Sequence, residues 1–256
     1  MKSPVSDNVV RHGIARVICK FGVCSRTQAQ ALVRAQRVRL NGLRVLDPEA
    51  PTVAGRDRIS IDDMEIGEQQ RVYLALNKPR GFVTTASDER GRRTVYDLLR
   101  VLPAGAEPLP WVAPVGRLDQ ASEGMLLFSN DSEWAAALSA PSSHVDKTYH
   151  VQIDTLADAA LLTALRGGKI ADGENLSAKS VRAIRLGEKN AWLEIVLDEG
   201  RNRQIRRMLD VFDIAVLRLI RIAVGSVELG SLAKGQWRRL CEAEVAALHP
   251  TARDRT

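Results

Sequence analysis

The reading of this chain turns on Gly116-Arg117-Leu118-Asp119-Gln120-Ala121-Ser122-Glu123-Gly124-Met125-Leu126-Leu127-Phe128-Ser129-Asn130-Asp131. Met125 to Phe128 is an unbroken apolar run of strand length, bounded by turn residues. The polar loop ahead of it runs from Gly116 to Gly124, and loops held by rigid strands are where carboxylates are presented to clefts. Asp119 is therefore a candidate site residue, although a solvated turn aspartate would read the same way.

Outward from this stretch, strands alternate with short helices, so the expected fold class is α+β. Further strands are expected at Val72 to Lys78, Thr148 to Ile153, Trp192 to Leu197 and Arg218 to Val224. Helices are expected at Ser132 to Leu138, Leu156 to Leu165 and Asn202 to Phe212. Three more pieces carry chemistry-bearing side chains: Asn77-Lys78-Pro79-Arg80-Gly81, Lys147-Thr148-Tyr149, and the run from Glu199 to Met208. Lys147 and Tyr149 are two apart on a strand and share a face. On the last helix Ile205, Met208, Leu209 and Phe212 form an apolar stripe; Arg203 and Arg207 point away from it, and Arg206 sits at its boundary, placed to reach into a site.

The 256 residues are 45% hydrophobic, 27% charged and 4% aromatic, which suits a folded protein of one or two domains and excludes disordered and disulfide-scaffold classes. Nothing approaches the roughly 20 apolar residues of a membrane helix, and Met1 to Val10 lacks a signal core, so a cytoplasmic protein is expected. Cys19, Cys24 and Cys241 form no CxxC pair and read as reduced, buried thiols. His12, His144, His150 and His249 have no metal-ligand spacing.

The net charge is only +6, yet residues 11–46 hold eight Lys or Arg and no Asp or Glu, leaving the rest of the chain at −2. Such a segment, with no acidic residue of its own, attracts phosphate. Ile14, Val17, Ile18 and Phe21 mark a helix that Gly22 ends. Ser25 and Gln28 have capping-box spacing ahead of a second helix. Val38 to Val45 is then a hairpin about Asn41-Gly42, with Arg39 facing Arg44 on one side and Val38, Leu40, Leu43 and Val45 on the other. Opposed like charges destabilise a hairpin unless an anion lies between them. Arg56 to Ile61 reads as a closing strand and Gly67 to Gln70 as polar linker, while Arg253 to Thr256 reads as a frayed tail.

The stretch "GVCSRTQAQALVRAQRVRLNG" (22–42) resembles the S4 RNA-binding domain. Behind it, "GRLDQASEGMLLFSND", "NKPRGFVTT", "KTYHV" and "EGRNRQIRRML" together resemble the RsuA-type ribosomal RNA pseudouridine synthases, and their large-subunit-like branch in particular. Ser122 and Ser129 stand where that family usually has threonine, and Ser132 where glycine is common. The resemblance implies an S4-like domain over 11–66, a linker over 67–71, and a catalytic domain over 72–249 built on a mixed, mainly antiparallel sheet with flanking helices.

It also implies an enzyme that isomerises a uridine of ribosomal RNA, 23S by the lean of these motifs, to pseudouridine. Asp119 matches the catalytic aspartate, Arg206 the arginine paired with it, and Tyr149 the tyrosine that stacks on the target base and is linked to loss of the C5 proton. Ile205 matches an apolar pocket residue and Arg117 the arginine that fills the space left by the displaced nucleotide, with Lys147 and Arg203 as further substrate-binding positions. Arg26, Arg34, Arg37, Arg39 and Arg44 are the expected RNA contacts. No metal or organic cofactor is implied; the expected partner is a structured stem-loop of ribosomal RNA, bound by a monomer with no membrane association.

Two other classes compete. One is a non-catalytic S4-type RNA-binding or ribosome-assembly factor, which would not need Asp119, Tyr149 and Arg206 together. The other is a glycoside hydrolase, which generally needs two carboxylates flanking the bond, whereas one motif-borne aspartate is found.

Overall fold

The computed structural model describes residues 10–86, 88–101 and 107–249, and the expected tail at Arg253 to Thr256 lies outside them. The chain divides into two compact units between Val72 and Tyr73, with Glu107–Ala113 and Asn130–Ser132 joining the first.

The first unit runs β1 (His12–Gly13), α1 (Ile14–Lys20), α2 (Arg26–Arg34), β2 (Val38–Leu40), β3 (Leu43–Arg44), β4 (Pro51–Thr52), β5 (Ile59–Ile61) and β6 (Met64–Ile66). Ile14, Val17 and Ile18 on α1 are fully buried against Ala29, Val33, Val38 and Ile59. Burial of each large aliphatic side chain contributes about 1.5–3 kcal/mol, so the helix stripe holds the module together. Gly22 takes φ +75° where α1 ends, a conformation that costs glycine nothing. The capping box forms as expected: Ser25 Oγ accepts from the Gln28 amide at 3.2 Å and Gln28 Oε1 accepts from the Ser25 amide at 3.0 Å.

Asn41 and Gly42 both adopt positive φ, which gives the hairpin its turn and pairs Arg39 with Arg44 and Leu40 with Leu43. Leu43 departs from the expected apolar face. It is 76% exposed, because β3 is the edge of the sheet order β3-β2-β5-β6. A second two-residue turn, Asp62-Asp63, also lies at positive φ and leads into β6. It changes the charge reading, since Asp63 Oδ1 accepts from Arg39 Nε at 2.8 Å and Asp62 Oδ1 from Arg37 Nε at 2.8 Å. Arg26 pairs with Glu49 at 3.0 Å. The basic segment thus draws counter-ions from residues 47–63, and the repulsion of Arg39 and Arg44 is relieved by a carboxylate of the protein itself.

The second unit contains β7 (Tyr73–Lys78), α3 (Val95–Leu99), β8 (Ala113–Val115), β9 (Glu123–Ser129), α4 (Ser132–Ser139), β10 (Lys147–Ile153), α5 (Ala159–Gly167), β11 (Lys169–Ala171), β12 (Glu174–Leu176), β13 (Ser180–Leu186), β14 (Ala191–Leu197), α6 (Gln204–Asp210), β15 (Val216–Val224), β16 (Val227–Glu228), β17 (Trp237–Arg239) and α7 (Glu242–Ala247). The sheet order is β13-β14-β10-β15-β9-β7-β17, with β8 on β9 and β16 on β15. The β15–β9 contact is parallel, whereas β10–β14, β10–β15, β13–β14, β15–β16, β17–β7 and β7–β9 are antiparallel.

All seven residues of β9 are buried, as its apolar run requires. Gly124 makes the parallel contact possible: at φ +99°, a Cβ there would lie 2.2 Å from the Arg221 carbonyl oxygen. The expected thiols are free, but Cys19 and Cys24 are only half-buried and Cys241 is exposed. Burial pushes the Cys24 thiol up to about 11, so it is a poor nucleophile at neutral pH.

Candidate active site

Asp119 lies in the loop between β8 and β9, whose backbone is tied down on several sides. Ser122 N donates to the Asp119 carbonyl at 3.0 Å, closing a tight turn over 119–122, and Gly81 N donates to the Gln120 carbonyl at 2.8 Å. Thr84 Oγ1 donates to the Leu118 carbonyl at 2.8 Å. Beneath the turn, the fully buried Lys78 donates to the carbonyls of Asp119 (3.0 Å), Ser122 (2.8 Å) and Pro79 (3.2 Å). The segment Asn77 to Thr85 is therefore the clamp that shapes the aspartate loop, a role that composition and spacing did not reveal. Burial pushes the Lys78 ammonium down to about 8, against the pull of the Asp119 and Glu123 carboxylates.

Two cavities share this turn. The first, about 500 Å³, is lined by Asp119, Tyr149, Ile205 and Arg206 together with apolar residues including Leu118 and Leu219. The second, about 780 Å³ and more open, carries Arg80, Arg90, Arg92, Arg117 and Arg203 around the other side of Asp119. The first cavity combines an apolar wall with Arg206, Arg221 and Lys147 at its polar positions, as a planar base with polar edges requires, and the more open second one offers arginines to a phosphodiester backbone. Lys147 lines the first cavity and Arg117 both, so every site residue expected in this unit converges on one place. Among the described residues no group of three His, Cys, Asp or Glu side chains could hold a metal ion.

The arginines are arranged differently from expectation. Helical periodicity points Arg203 away from the apolar stripe, whereas its Nη1 lies 3.5 Å from Asp119 Oδ2. Its backbone is left-handed at φ 49°, making it the N-cap of α6, so the helix starts two residues later than Asn202 and its periodicity does not set the direction of Arg203. Arg206, the expected carboxylate partner, forms no ion pair with Asp119 within 4 Å among the described residues. It donates to the carbonyls of Val216 (3.3 Å) and Ala121 (3.4 Å), and its buried Nε has no hydrogen-bond partner.

Burial, then repulsion from Arg203, pulls Arg206 below the usual arginine range, with Asp119 opposing. Arg207 does point away, to Asp172 and Glu174 at 2.7 Å each. Gln204 pins the loop before α6, donating from Nε2 to the Ser177 carbonyl and Glu199 Oε1, both at 3.0 Å.

On the other face of β15, Arg218 binds the buried Glu123 through two 3.1 Å contacts. Lys234 adds a third at 2.5 Å. These cations hold the Glu123 carboxyl below its ordinary range despite burial, fixing the residue at which the aspartate loop enters β9. In the first unit, Asn130 completes the motif structurally by accepting from the Val72 amide at 2.8 Å and donating to the Gln70 carbonyl at 2.9 Å.

A clamped aspartate shared by two cation-lined cavities, on a largely antiparallel sheet and in a chain with a basic helix-helix-hairpin module, has the make-up of an enzyme site for an anionic substrate. The sequence matches the RNA pseudouridylate synthase family over residues 72–210 and the S4 domain over residues 13–51. It is 33% identical over 242 residues to ribosomal large subunit pseudouridine synthase B of Bacillus subtilis strain 168, covering 93% of this chain and 96% of that protein. It is 32% identical over 236 residues to an RNA pseudouridine synthase of Aquifex aeolicus strain VF5, covering 92% of each. A crystal structure of a pseudouridylate synthase superimposes with a TM-score of 0.63 at 27% identity, over 93% of this chain and 99% of the other. The chain belongs to the RNA pseudouridylate synthase family and carries an S4 domain.

Proposed function

We propose that this enzyme converts one uridine of 23S ribosomal RNA to pseudouridine in the cytoplasm, acting as a monomer on a structured stem-loop. The observation that carries the reading is the position of Asp119, held by the Lys78 clamp where the Tyr149 cavity meets a more open, arginine-lined one. The name of the Bacillus subtilis relative supports the large-subunit target.

The reaction breaks the bond from N1 to C1′, turns the uracil and joins C5 to C1′; C5 releases its proton and N1 gains one, so no redox agent is consumed. A stacked uridine must first leave its helix and enter a pocket. Tyr149, Ile205 and Leu118 supply that pocket, and Asp119 is the nucleophile at its mouth. A carboxylate nucleophile must be ionised, and Arg203 and Arg206 supply the opposing charge. Arg117 takes the space of the displaced nucleotide, and Lys147 is a further substrate contact. Mapping pseudouridines in ribosomal RNA from a deletion strain tests the target: a single missing position in 23S RNA is expected. A missing position in 16S RNA, or none, would overturn the assignment.

In this reading residues 11–66 are the RNA-gripping module, 67–71 a linker and 72–249 the catalytic domain. Arg34 and Arg44 have no ion-pair partner among the described residues, whereas Arg26, Arg37 and Arg39 must exchange a carboxylate for phosphate. Exposed pairs of this kind are worth only about 0–1 kcal/mol, so the exchange is cheap. The double change Arg39→Ala and Arg44→Ala should weaken binding to 23S RNA and flatten the plot of log K against log salt by about 0.9 per lost phosphate contact. The Arg39–Asp63 pair keeps the expected change below the full two-contact value. Filter binding across a salt series reads this directly, and an unchanged slope would remove the hairpin from the RNA surface.

A further inference from the structure

Arg221 is 6% exposed, yet it forms no ion pair among the described residues. Its Nε donates to the Met125 carbonyl at 2.7 Å, and no acceptor among the described residues meets its Nη groups. A buried guanidinium without a counter-charge is costly unless its remaining donors find acceptors. Those donors are not sealed inside protein, because the buried polar side-chain atom without a partner is Arg206 Nε, and Arg221 lines the 500 Å³ cavity. The strand register adds a second constraint. Arg221 on β15 is the register partner of Tyr149 on β10, beside a bulge between Thr148 and Tyr149, and both side chains line the same cavity. A ring stacked on Tyr149 therefore lies within reach of the Arg221 fork.

We propose that Arg221 reads the target base, its Nη groups donating to O4 of the uracil that stacks on Tyr149. The inference rests on the first cavity being the base pocket. Asp119, with a side chain 32% exposed, marks the mouth where C1′ must lie, and Arg221 is the more deeply buried of the two. N1, flanked by O2, stays at the mouth, and C4 lies across the ring from N1 at the inner end.

The chemistry of the turn agrees with this position. Rotating uracil about the line from N3 to C6 exchanges N1 with C5 and O4 with O2, so a carbonyl oxygen meets Arg221 before and after the base turns. Cytosine would present its 4-amino group, a donor facing donors, and would be rejected on entry. Arg221 is thus a specificity residue that neither the motif matches nor the charge pattern singled out.

The test is a cycle of two enzymes, wild type and Arg221→Met, against two 23S RNA fragments carrying uridine or 4-thiouridine at the target. Sulfur is a weak acceptor, and a hydrogen bond from a charged donor corresponds to about 10–100-fold in kcat/KM. Wild type should lose that factor on 4-thiouridine, and Arg221→Met should lose a similar factor on uridine while scarcely distinguishing the two RNAs. Arg221→Lys, which keeps one charged donor, should recover part of the discrimination and serves if Arg221→Met fails to fold. Equal penalties for 4-thiouridine in wild type and either variant, or none in wild type, would overturn the proposal. Failure of wild type to modify the uridine RNA would instead overturn the reading of the cavity as a base pocket.

Discussion

Asp119→Asn should abolish pseudouridine formation, lowering the single-turnover rate on 23S RNA by on the order of 10³-fold or more. The substitution preserves shape, and the turn that presents residue 119 is held through backbone carbonyls rather than through the carboxylate. The side chain's direct partner is the half-exposed Arg203 at 3.5 Å, a contact that contributes little to stability. The melting temperature and the RNA affinity should therefore stay close to wild type. A single-turnover rate within tenfold of wild type would remove Asp119 from the chemistry.

The second large effect belongs to Lys78. Lys78→Met removes three hydrogen bonds at once and leaves the carbonyls of Pro79, Asp119 and Ser122 without this donor. An unsatisfied buried acceptor costs about 1–3 kcal/mol, so a loss of roughly 3 kcal/mol in unfolding free energy is expected by denaturant titration. The aspartate loop loses its floor, and a displacement near 1 Å at a reacting group costs on the order of 10² in rate.

The same clamp predicts an alkaline limb. Burial holds the Lys78 ammonium down to about 8, so as pH rises past that range it becomes an amine with two hydrogens for three carbonyls. The wild-type rate should fall correspondingly above about pH 8. A flat profile to pH 10, or a Lys78→Met variant with wild-type stability and rate, would contradict the clamp.

What the sequence made legible was local. The α1 stripe, the Ser25–Gln28 capping box and the Asn41-Gly42 turn are each set within a few residues, and each forms as read. The Asp62-Asp63 turn escaped because paired aspartates at positive φ are a weaker signal than Asn-Gly, and with it went the counter-ions of Arg37 and Arg39. β13 carries a weak signal because it edges the sheet, where Arg185 falls in phase with Val181 and Ala183 and breaks the apolar alternation.

In the site, the motifs indicated which residues converge but not which charges meet. Helical periodicity predicts directions only inside a helix, and Arg203 sits at the N-cap, where a left-handed backbone turns it toward Asp119. Lys78 stands in a singled-out motif but with no role assigned to it, and Arg221 reads as an ordinary cation in a strand. Their roles arise from carbonyls 41 to 96 residues away in the chain, a relation that no local pattern carries.

The central claim, that the cavity at Asp119 isomerises uridine in RNA, is tested most directly by tritium release from 23S RNA transcribed with uridine labelled at C5. The account predicts one tritium released per RNA molecule by the wild-type protein, since joining C5 to C1′ expels that hydrogen. Tight binding of the same RNA with no tritium released would contradict it, and would leave a protein that grips ribosomal RNA without altering it.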